Sequence, residues 1–526
     1  MPRNDRHRRA PHPLLVVALV PLIACGSDGA RPLSTLDAGG GDATQTSNPD
    51  APSGATLDAA SDGTSVEAGG NEDASLPGPV SMVDTTLDWK HWNYTLLPDN
   101  TIADYSTGPR SIVDQTFAAI VLENDWVKVT LVPGFGARIL SILYKPTGHE
   151  ELYQNPVGAP YGYMEDAFYY DWLMVYGGIF PTLAEPEHGK AWLLPWSYEV
   201  TVATADQVSV RMSITDNIAA TSQTPASFNY GITGLSVDAT VTLYRDRSSV
   251  EMALELTNTQ ATEINYEYWT CTTLAPGSTP DAPAATANTE IIAPISQIQT
   301  TYGGWLAGPE ERPWNQSLSL FSNWQGDGIL YAYPSAVAPY WGVINHDVHE
   351  GLFRIADNSV TPGLKMWTWG YPQSQIDPTD PANADNSARP YIELWGGVSH
   401  QFFTPATMAG GATQQWTESY LPTVGLDQVT SASAYGAAYV SATASGADVT
   451  FAADFFSAQP GQAITGTLSL DGKAIGSTTL PADPMAPLHF TANGSAAQIA
   501  AGAHELEFVA SDGSTVLLSA TTTYTK

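Results

Sequence analysis

The chain has 526 residues, of which 43% are hydrophobic and 14% are charged, and its formal net charge is −34 at pH 7. This length allows more than one domain, each with a sizeable core. The acidic balance argues against a nucleic-acid partner, because binding nucleic acid requires clustered Lys and Arg. Cys25 and Cys271 are the only cysteines, which excludes a disulfide-rich scaffold.

The N terminus has the layout of an export signal. Four arginines precede the apolar stretch PLLVVALVPLIA, which is too short to cross a membrane and has the length of a signal h-region. It ends in Leu22-Ile23-Ala24-Cys25, which resembles the lipobox of bacterial lipoproteins. That resemblance implies a signal peptide over residues 1–25, acylation of Cys25 and a lipid anchor in the cell envelope. Gly26 follows in place of Asp, which favours the outer membrane. A secretory signal with a chance cysteine is the alternative.

Residues 26–83 are rich in Gly, Ala, Ser and Asp and almost without aromatic residues. Such a segment cannot bury enough apolar surface to fold, so we predict a disordered tether. All fifteen tryptophans lie between Trp89 and Trp416, which predicts a main domain over residues 84–426. The remaining residues, 427–526, lack tryptophan and contain two Asp-Gly turns between alternating segments, TLSLDGKAIGSTTL and HELEFVASDGSTVLLSA. These are typical of β-hairpins and predict a small immunoglobulin-like β-sandwich as an accessory domain.

The main domain is dominated by patterns of period two. They occur in AAIVLENDWVKVTLVP, SYEVTV, VSVRMSI and VDATVTLYRDRSSVEMALELTNT. Alternation of this kind predicts half-buried strands, and no convincing amphipathic helix of ten residues is present. We therefore predict an all-β fold, a large antiparallel β-sandwich with long aromatic loops, and we expect a site to lie on those loops.

Five segments within residues 126–426 stand out, in this order: WVKVTLVPGFGARILSILYKPTGHEELYQNPV, GGIFPTLAEPEHGKAWLLPW, INYEYWTCTTLAPG, GLKMWTWG and PYIELWGG. In this order they resemble a family of bacterial domains of unknown function, DUF5107, which is similar to the galactose mutarotase-like superfamily. The resemblance implies a twisted antiparallel sandwich with a sugar-sized cleft on one concave sheet. It also implies that Arg138 contacts sugar hydroxyls, that His188-Gly189 lies at the site and that Glu393 is a general base. Where the superfamily has its acid histidine, this chain has Tyr266, which argues against an ordinary aldose epimerase.

Flat indole rings can cover the apolar faces of sugar rings at little entropic cost, and acid/base chemistry on a saccharide needs a paired proton donor and acceptor. Glu187 or Glu185 could replace His188 as the partner of Glu393. Each of these residues also has a structural explanation, since a histidine is often hydrogen-bonded inside a core and tryptophans are usually buried. The candidate set is catalytic His188, Glu393 and Tyr266 with substrate-binding Arg138, Glu187, Trp192, Trp196, Trp269, Lys365, Trp367 and Trp369.

His346 and His349 invite a metal interpretation. Their spacing puts them on opposite faces of a strand, so joint ligation would require a turn, and a solvated turn without metal is favoured. We predict no cofactor, while a structural Ca²⁺ stays open. The function expected is acid/base chemistry on a saccharide, of an epimerase, hydrolase or lyase kind. The alternative is a glycan-binding lipoprotein without catalysis, which a gap of well over roughly 10 Å between His188 and Glu393 would favour. The expected partners are a saccharide and, through Cys25, a membrane.

Overall fold

The structure is a computed structural model that describes residues 77–96, 102–105, 112–160, 174–220, 226–279, 282, 284–303, 305–306, 308–372 and 391–526. The predicted signal peptide, Cys25 and residues 26–76 of the predicted tether lie outside these ranges. Within them, α1 (Gln316–Ser319) is the one α-helix, and no helix is long and apolar enough to cross a membrane. The predicted all-β fold is confirmed.

The larger sheet of the main domain has fifteen strands among the described residues. Its path runs through β18 (Glu311–Pro313), β17 (Gln297–Tyr302), β19 (Gly328–Tyr333), β22 (Gly363–Thr368), β23 (Ile392–Gly397), β15 (Ile264–Ser278), β10 (Ile179–Ala184), β6 (Arg138–Tyr144), β5 (Val127–Val132), β4 (Ile112–Glu123), β1 (Ser81–Trp92), β8 (Gln154–Pro160) and β9 (Met174–Gly177), with β7 (His149–Leu152) and β24 (Ala406–Met408) paired at its side. Most neighbouring strands are antiparallel, and β1 with β8 is a parallel pair. The predicted hairpin in AAIVLENDWVKVTLVP is confirmed as β4 and β5.

A second sheet of eight described strands packs against the first. Its order is β11 (Ser197–Ala203), β12 (Gln207–Thr215), β13 (Leu235–Tyr244), β14 (Val250–Asn258), β25 (Thr413–Val424), β21 (Glu350–Ile355), β20 (Tyr340–Asn345) and β16 (Thr289–Ile292). Alternate residues of β13 enter the core between the sheets, namely Leu235, Val237, Ala239, Val241 and Leu243. This is the inward half of a period-two strand. A separate pair, β2 (Tyr94–Leu96) and β3 (Ile102–Tyr105), forms a short ribbon.

A β-bulge in β6 changes which residues of this strand face the core. Thr130 pairs with Ser141 and Leu131 pairs with Ile139, so Leu140 is the extra residue. As a result Ile139 and Ile142, three positions apart, both join the core between the sheets. Arg138, Leu140 and Leu143 lie on the opposite face of the large sheet, which we call the outer face.

The C-terminal residues form two four-stranded antiparallel sheets with a core of their own. One contains β26 (Ser431–Ser433), β27 (Gly436–Ser445), β28 (Asp448–Ser457) and β31 (Leu488–Ser495), and the other contains β30 (Lys473–Pro481), β29 (Ala463–Leu470), β32 (Ala503–Asp512) and β33 (Thr515–Thr525). Asp471 and Gly472 both have positive φ, 49° and 73°. Two such residues in succession are what a type I′ hairpin turn requires, so the Asp-Gly signal locates this turn correctly.

The C-terminal sandwich also contributes to the core of the main domain. The ring of Phe456 packs edge-on against that of Tyr144, with centroids 6.3 Å apart. The Tyr144 hydroxyl donates a hydrogen bond to the carbonyl of Pro484 at 2.6 Å. Ala437 and Ala458 are part of the same hydrophobic cluster as the two large sheets. The two sandwiches therefore share apolar surface.

Candidate functional site

The turn after β10 carries His188 back over the outer face of the large sheet. Ala184, Glu187 and Gly189 all have positive φ, 58°, 57° and 62°, a conformation that non-glycine residues adopt at a cost. The Lys190 amide donates to the carbonyl of Leu183 at 3.1 Å. A Cβ at position 189 would lie 2.3 Å from that same carbonyl oxygen. Only glycine therefore allows the turn to fold this tightly onto β10.

His188 lies between two indole rings. Its ring centroid is 5.1 Å from that of Trp192 and 5.3 Å from that of Trp395. Its Nδ1 is buried and has no hydrogen-bond partner in the described part of the chain. Burial, together with the positive charges of Lys365 and Arg138, lowers the pKa of His188 to about 3. The imidazole is thus neutral at pH 7, with a nitrogen left for a ligand.

Arg138 is fully buried beside this histidine. Its guanidinium carbon lies 4.0 Å from the ring centroid of Phe180 and 5.7 Å from that of Trp192, and its Nη1 donates to the carbonyl of Gly177. The second glycine of GFGAR allows the backbone just before Arg138 to pack closely against the backbone of Trp192. Gly136 has φ of +72°, and a Cβ there would lie 1.9 Å from the carbonyl oxygen of Trp192.

Glu393 and Lys365 lie on adjacent strands of the same face. In the register of β22 and β23, Lys365 pairs with Trp395 and Trp367 pairs with Glu393. Lys365 Nζ is 3.7 Å from Glu393 Oε2 and 4.2 Å from the ring centroid of Trp395. The Trp395 Nε1 donates to Glu393 Oε2 at 2.7 Å. The ring of Phe402 also lies next to Lys365, with its centroid 4.9 Å from Lys365 Nζ.

These residues form one group, which we call the His188 cluster. It consists of His188, Arg138, Lys365 and Glu393 with the rings of Phe180, Trp192, Trp395 and Phe402. A single indole, that of Trp395, contacts both His188 and Glu393. The Trp395 indole therefore links the imidazole and the carboxyl within one cluster.

Other predicted residues flank the His188 cluster. Trp367 lies 5.3 Å from Lys365 Nζ and packs edge-on against Trp369. The Trp369 Nε1 donates to the Tyr391 hydroxyl at 2.9 Å. Trp269 is fully buried in a slot that Gly363 and Gly397 leave open, where any Cβ would collide with its ring.

Two predicted residues are placed away from the His188 cluster, between the two sheets. Tyr266 is 1% exposed and its hydroxyl donates to Gln414 of the second sheet at 2.7 Å. On β15, the alternate residues Glu267 and Trp269 take the outer face, so Tyr266 takes the inner one. Trp196 joins the hydrophobic core and donates from Nε1 to the carbonyl of Ala191. Both side chains therefore belong to the core between the sheets, and the expected contact of Tyr266 and Trp196 with substrate stays a prediction.

The same turn also positions buried carboxyls. Burial raises the pKa of Glu185 and that of Glu267 to about 7. The Tyr230 hydroxyl donates to Glu267 Oε1 at 2.8 Å, and Trp269 Nε1 donates to its other oxygen. Glu187 is close enough for its charge to add to the rise at Glu267. Burial thus raises the pKa values of two carboxyls, Glu185 in the turn and Glu267 on β15, toward neutrality.

The two histidines with a possible metal role meet a carboxylate instead. His349 Nδ1 is 2.7 Å and His346 Nδ1 is 3.4 Å from the same oxygen of Asp427, and His346 Nε2 is 2.9 Å from Glu290. Across the ranges that the structure describes, no group of three or more His, Cys, Asp or Glu side chains is arranged to hold a metal ion.

Sequence reasoning missed three members of the His188 cluster, namely Trp395, Phe180 and Phe402. Trp395 was detectable, because it lies two residues after Glu393 on one strand and must share its face. Phe180 and Phe402 become neighbours of the charged residues only through strand order and a loop. No local pattern marks them.

The fold and the His188 cluster define a large β-sandwich protein with a buried aromatic and charged site on one sheet. Residues 93–223 match DUF5107, a domain of unknown function. The predicted resemblance to that family is confirmed over these residues, which begin and end earlier than the predicted stretch. The chain also resembles a TPR-domain containing protein from Parabacteroides distasonis, with a TM-score of 0.51, 17% identity and 65% of this chain covered. The match covers 55% of that protein's length, so this chain spans only about half of that protein.

Structures of the galactose mutarotase-like kind match as well. One is a galactose mutarotase-like protein from Clostridium acetobutylicum, with a TM-score of 0.41, 9% identity, 59% of this chain covered and 96% of that one. Another is a galactose mutarotase related enzyme from Lactobacillus acidophilus, with a TM-score of 0.37, 11% identity and coverages of 59% and 99%. At these identities the likeness concerns the fold and not the chemistry.

Proposed function

We propose that the chain is a carbohydrate-active protein that binds a saccharide at the His188 cluster and performs acid/base chemistry on it. The observation that carries this proposal is the Trp395 indole, which contacts His188 with its ring and Glu393 with its Nε1. Indole and phenyl rings suit the C–H faces of a sugar, while carboxyl, imidazole and cationic groups suit its hydroxyls.

Glu393 is the proposed base. Lys365 and the Trp395 Nε1 both engage its Oε2 and orient the carboxyl within the cluster. His188 is the proposed partner in its neutral form. A neutral imidazole donates a hydrogen bond from one nitrogen and accepts at the other, and it polarises an oxygen without first holding an extra proton. Arg138 and Lys365 supply the positive field in which negative charge on a substrate oxygen is stabilised.

The test is a glycan array on the purified protein, followed by product analysis for each saccharide that binds. We expect Glu393→Gln and His188→Gln to keep binding and to lose product formation. The matched control is Glu255→Gln, an exposed carboxylate on β14 of the second sheet, which should behave as the native protein does. Binding by the native protein without any product would favour the glycan-binding alternative. Absence of binding to every saccharide would overturn the proposal.

We also propose that the protein is anchored in the cell envelope through Cys25, and a separate experiment tests this. It rests on the lipobox-like Leu22-Ile23-Ala24-Cys25 and on the Gly-, Ala-, Ser- and Asp-rich segment that follows. Mass spectrometry of the N-terminal peptide from host membranes should find an acylated Cys25. Replacing this cysteine by Ala should move the protein to the soluble fraction, and unchanged membrane association would contradict the anchor.

A further inference from the structure

A cavity of about 350 Å³ opens on the outer face of the large sheet, apart from the His188 cluster. Strands β1, β6, β7 and β8 enclose it. Its lining includes Trp89, Leu140, Leu143, Glu150, Gln154 and Asn155. None of these residues takes part in the proposed acid/base chemistry. Pockets for small ligands begin at roughly 300 Å³, so the cavity has room for one sugar-sized group.

One wall of the cavity holds a fixed hydrogen-bond acceptor. Glu150 Oε2 accepts from Ser141 Oγ at 2.5 Å and from Gln154 Nε2 at 3.0 Å, and Oε1 accepts from the Ile142 amide at 2.8 Å and from the Leu152 amide at 3.2 Å. Burial raises the pKa of Glu150 to about 7 although these donors lower it. These donors occupy both oxygens of the carboxyl and fix the Gln154 amide beside it, which leaves the Gln154 Oε1 able to accept from a hydroxyl group.

Apolar side chains line the cavity beside this carboxyl, since Leu143 pairs with Glu150 across β6 and β7. Leu140 and Leu143 reach the cavity because the bulge in β6 turns them to the outer face. The Trp89 indole is held by its Nε1, which donates to the carbonyl of Asn155 at 2.8 Å. Lys90 is at the rim but pairs with Asp114 at 2.9 Å. This combination of apolar surface, amides and carboxyl fits a neutral polyhydroxylated ligand better than an anion.

A row of aromatic rings connects the cavity to the His188 cluster. Ring centroids of Trp89 and Phe117 are 6.3 Å apart, and those of Phe117 and Phe135 are 5.5 Å apart. The guanidinium carbon of Arg138 lies 5.2 Å from Phe135. Arg138 and Leu140 also share one face of β6, two residues or about 7 Å apart. Both sites thus lie along one strip of the outer face.

We propose that this cavity is a second subsite for the same saccharide chain, so that the ligand is an oligosaccharide or polysaccharide and not a free monosaccharide. The inference rests on the proposed function of the His188 cluster. A sugar residue in the cavity places its C–H face on Leu140 and Leu143 and its hydroxyls toward Gln154, which Glu150 holds in place. Binding at both places then depends on chain length, since a short saccharide reaches only one of them.

The experiment is calorimetric titration of the full-length protein with neutral oligosaccharides of one to five residues from the gluco-, galacto-, manno- and xylo-series. We expect affinity in one series to rise by about tenfold or more once the chain is long enough to reach the cavity. Leu143→Trp fills the cavity and should remove this rise while leaving monosaccharide affinity unchanged. Glu150→Gln, which keeps the shape of the wall, should reduce affinity several-fold for long chains alone.

Val200→Trp is the matched control, because Val200 is an exposed aliphatic residue on β11 of the other sheet. It should bind every length as the native protein does. Affinity that is independent of length, or long chains bound equally by the native protein and both cavity variants, would overturn the second subsite and leave the proposed function intact. Absence of binding in all four series would overturn both.

Discussion

Replacing His188 by Gln should change how the stability of the protein depends on pH. The pKa of His188 is about 3 in the folded chain, because burial and the charges of Lys365 and Arg138 oppose protonation. In the unfolded chain the imidazole has its ordinary pKa of about 6.5. Between these values the unfolded state binds the extra proton, so stability contributed by the neutral imidazole is complete above pH 6.5 and is lost as pH falls.

The magnitude follows from the two pKa values. At pH 5 the unfolded imidazole is protonated and the folded one is not, which costs the native protein about 2 kcal/mol relative to pH 7. This figure hardly changes if the folded pKa is 4 in place of 3. Gln carries no charge at either pH, so the His188→Gln variant escapes the loss.

Urea unfolding followed by tryptophan fluorescence measures the effect at pH 8, 7 and 5. The free energy of unfolding of the variant, minus that of the native protein, should rise by about 2 kcal/mol from pH 7 to pH 5. Other titrating groups, including Glu150, Glu185 and Glu267, are common to both proteins and cancel. The interval from pH 8 to pH 7 is the internal control, since the imidazole is mostly neutral in both states there. A difference that stays constant down to pH 5 would refute the placement of a neutral His188 ring between the two indoles.

Three further predictions concern packing. Arg354→Met should cost about 3 to 5 kcal/mol in urea unfolding, because it strips buried Glu418 of a cation 2.7 Å away; adding Glu418→Leu should recover most of the loss. Gly136→Ala should cost at least about 1 kcal/mol and weaken ligand binding, because its Cβ would displace the Trp192 carbonyl; native-like binding would contradict this. Tyr266→Phe should cost about 1 kcal/mol through one lost hydrogen bond and leave saccharide binding unchanged; a clear loss of affinity would place Tyr266 in the site after all.

The strands and their tightest turns could be predicted because their signals are local. Alternation in LSVDATVTLY is sufficient to place five residues of β13 in the core, and Asp471-Gly472 is sufficient to specify a hairpin turn. The bulge in β6 could not be predicted. Its effect, two inward residues three positions apart, conflicts with the simple period and depends on the pairing with β5.

The site was predictable only in part, for a similar reason. His188 and Glu393 were found by resemblance, but their proximity depends on Trp395, whose position relative to Lys365 is set by the register of β22 and β23. The resemblance matches Tyr266 to the acid of the mutarotase-like superfamily by its sequence context alone. Whether it faces outward or inward is decided by the phase of β15, which a single strand does not reveal.

The packing of Phe456 against Tyr144 has a consequence for how the protein is made. The apolar surface around Tyr144 belongs to a strand near residue 140, while its cover comes from residues after 430. Because a chain emerges from its N terminus, this surface stays open until the residues up to Pro484 have been synthesised. During that interval the uncovered apolar face around Tyr144 is a place that chaperones can recognise.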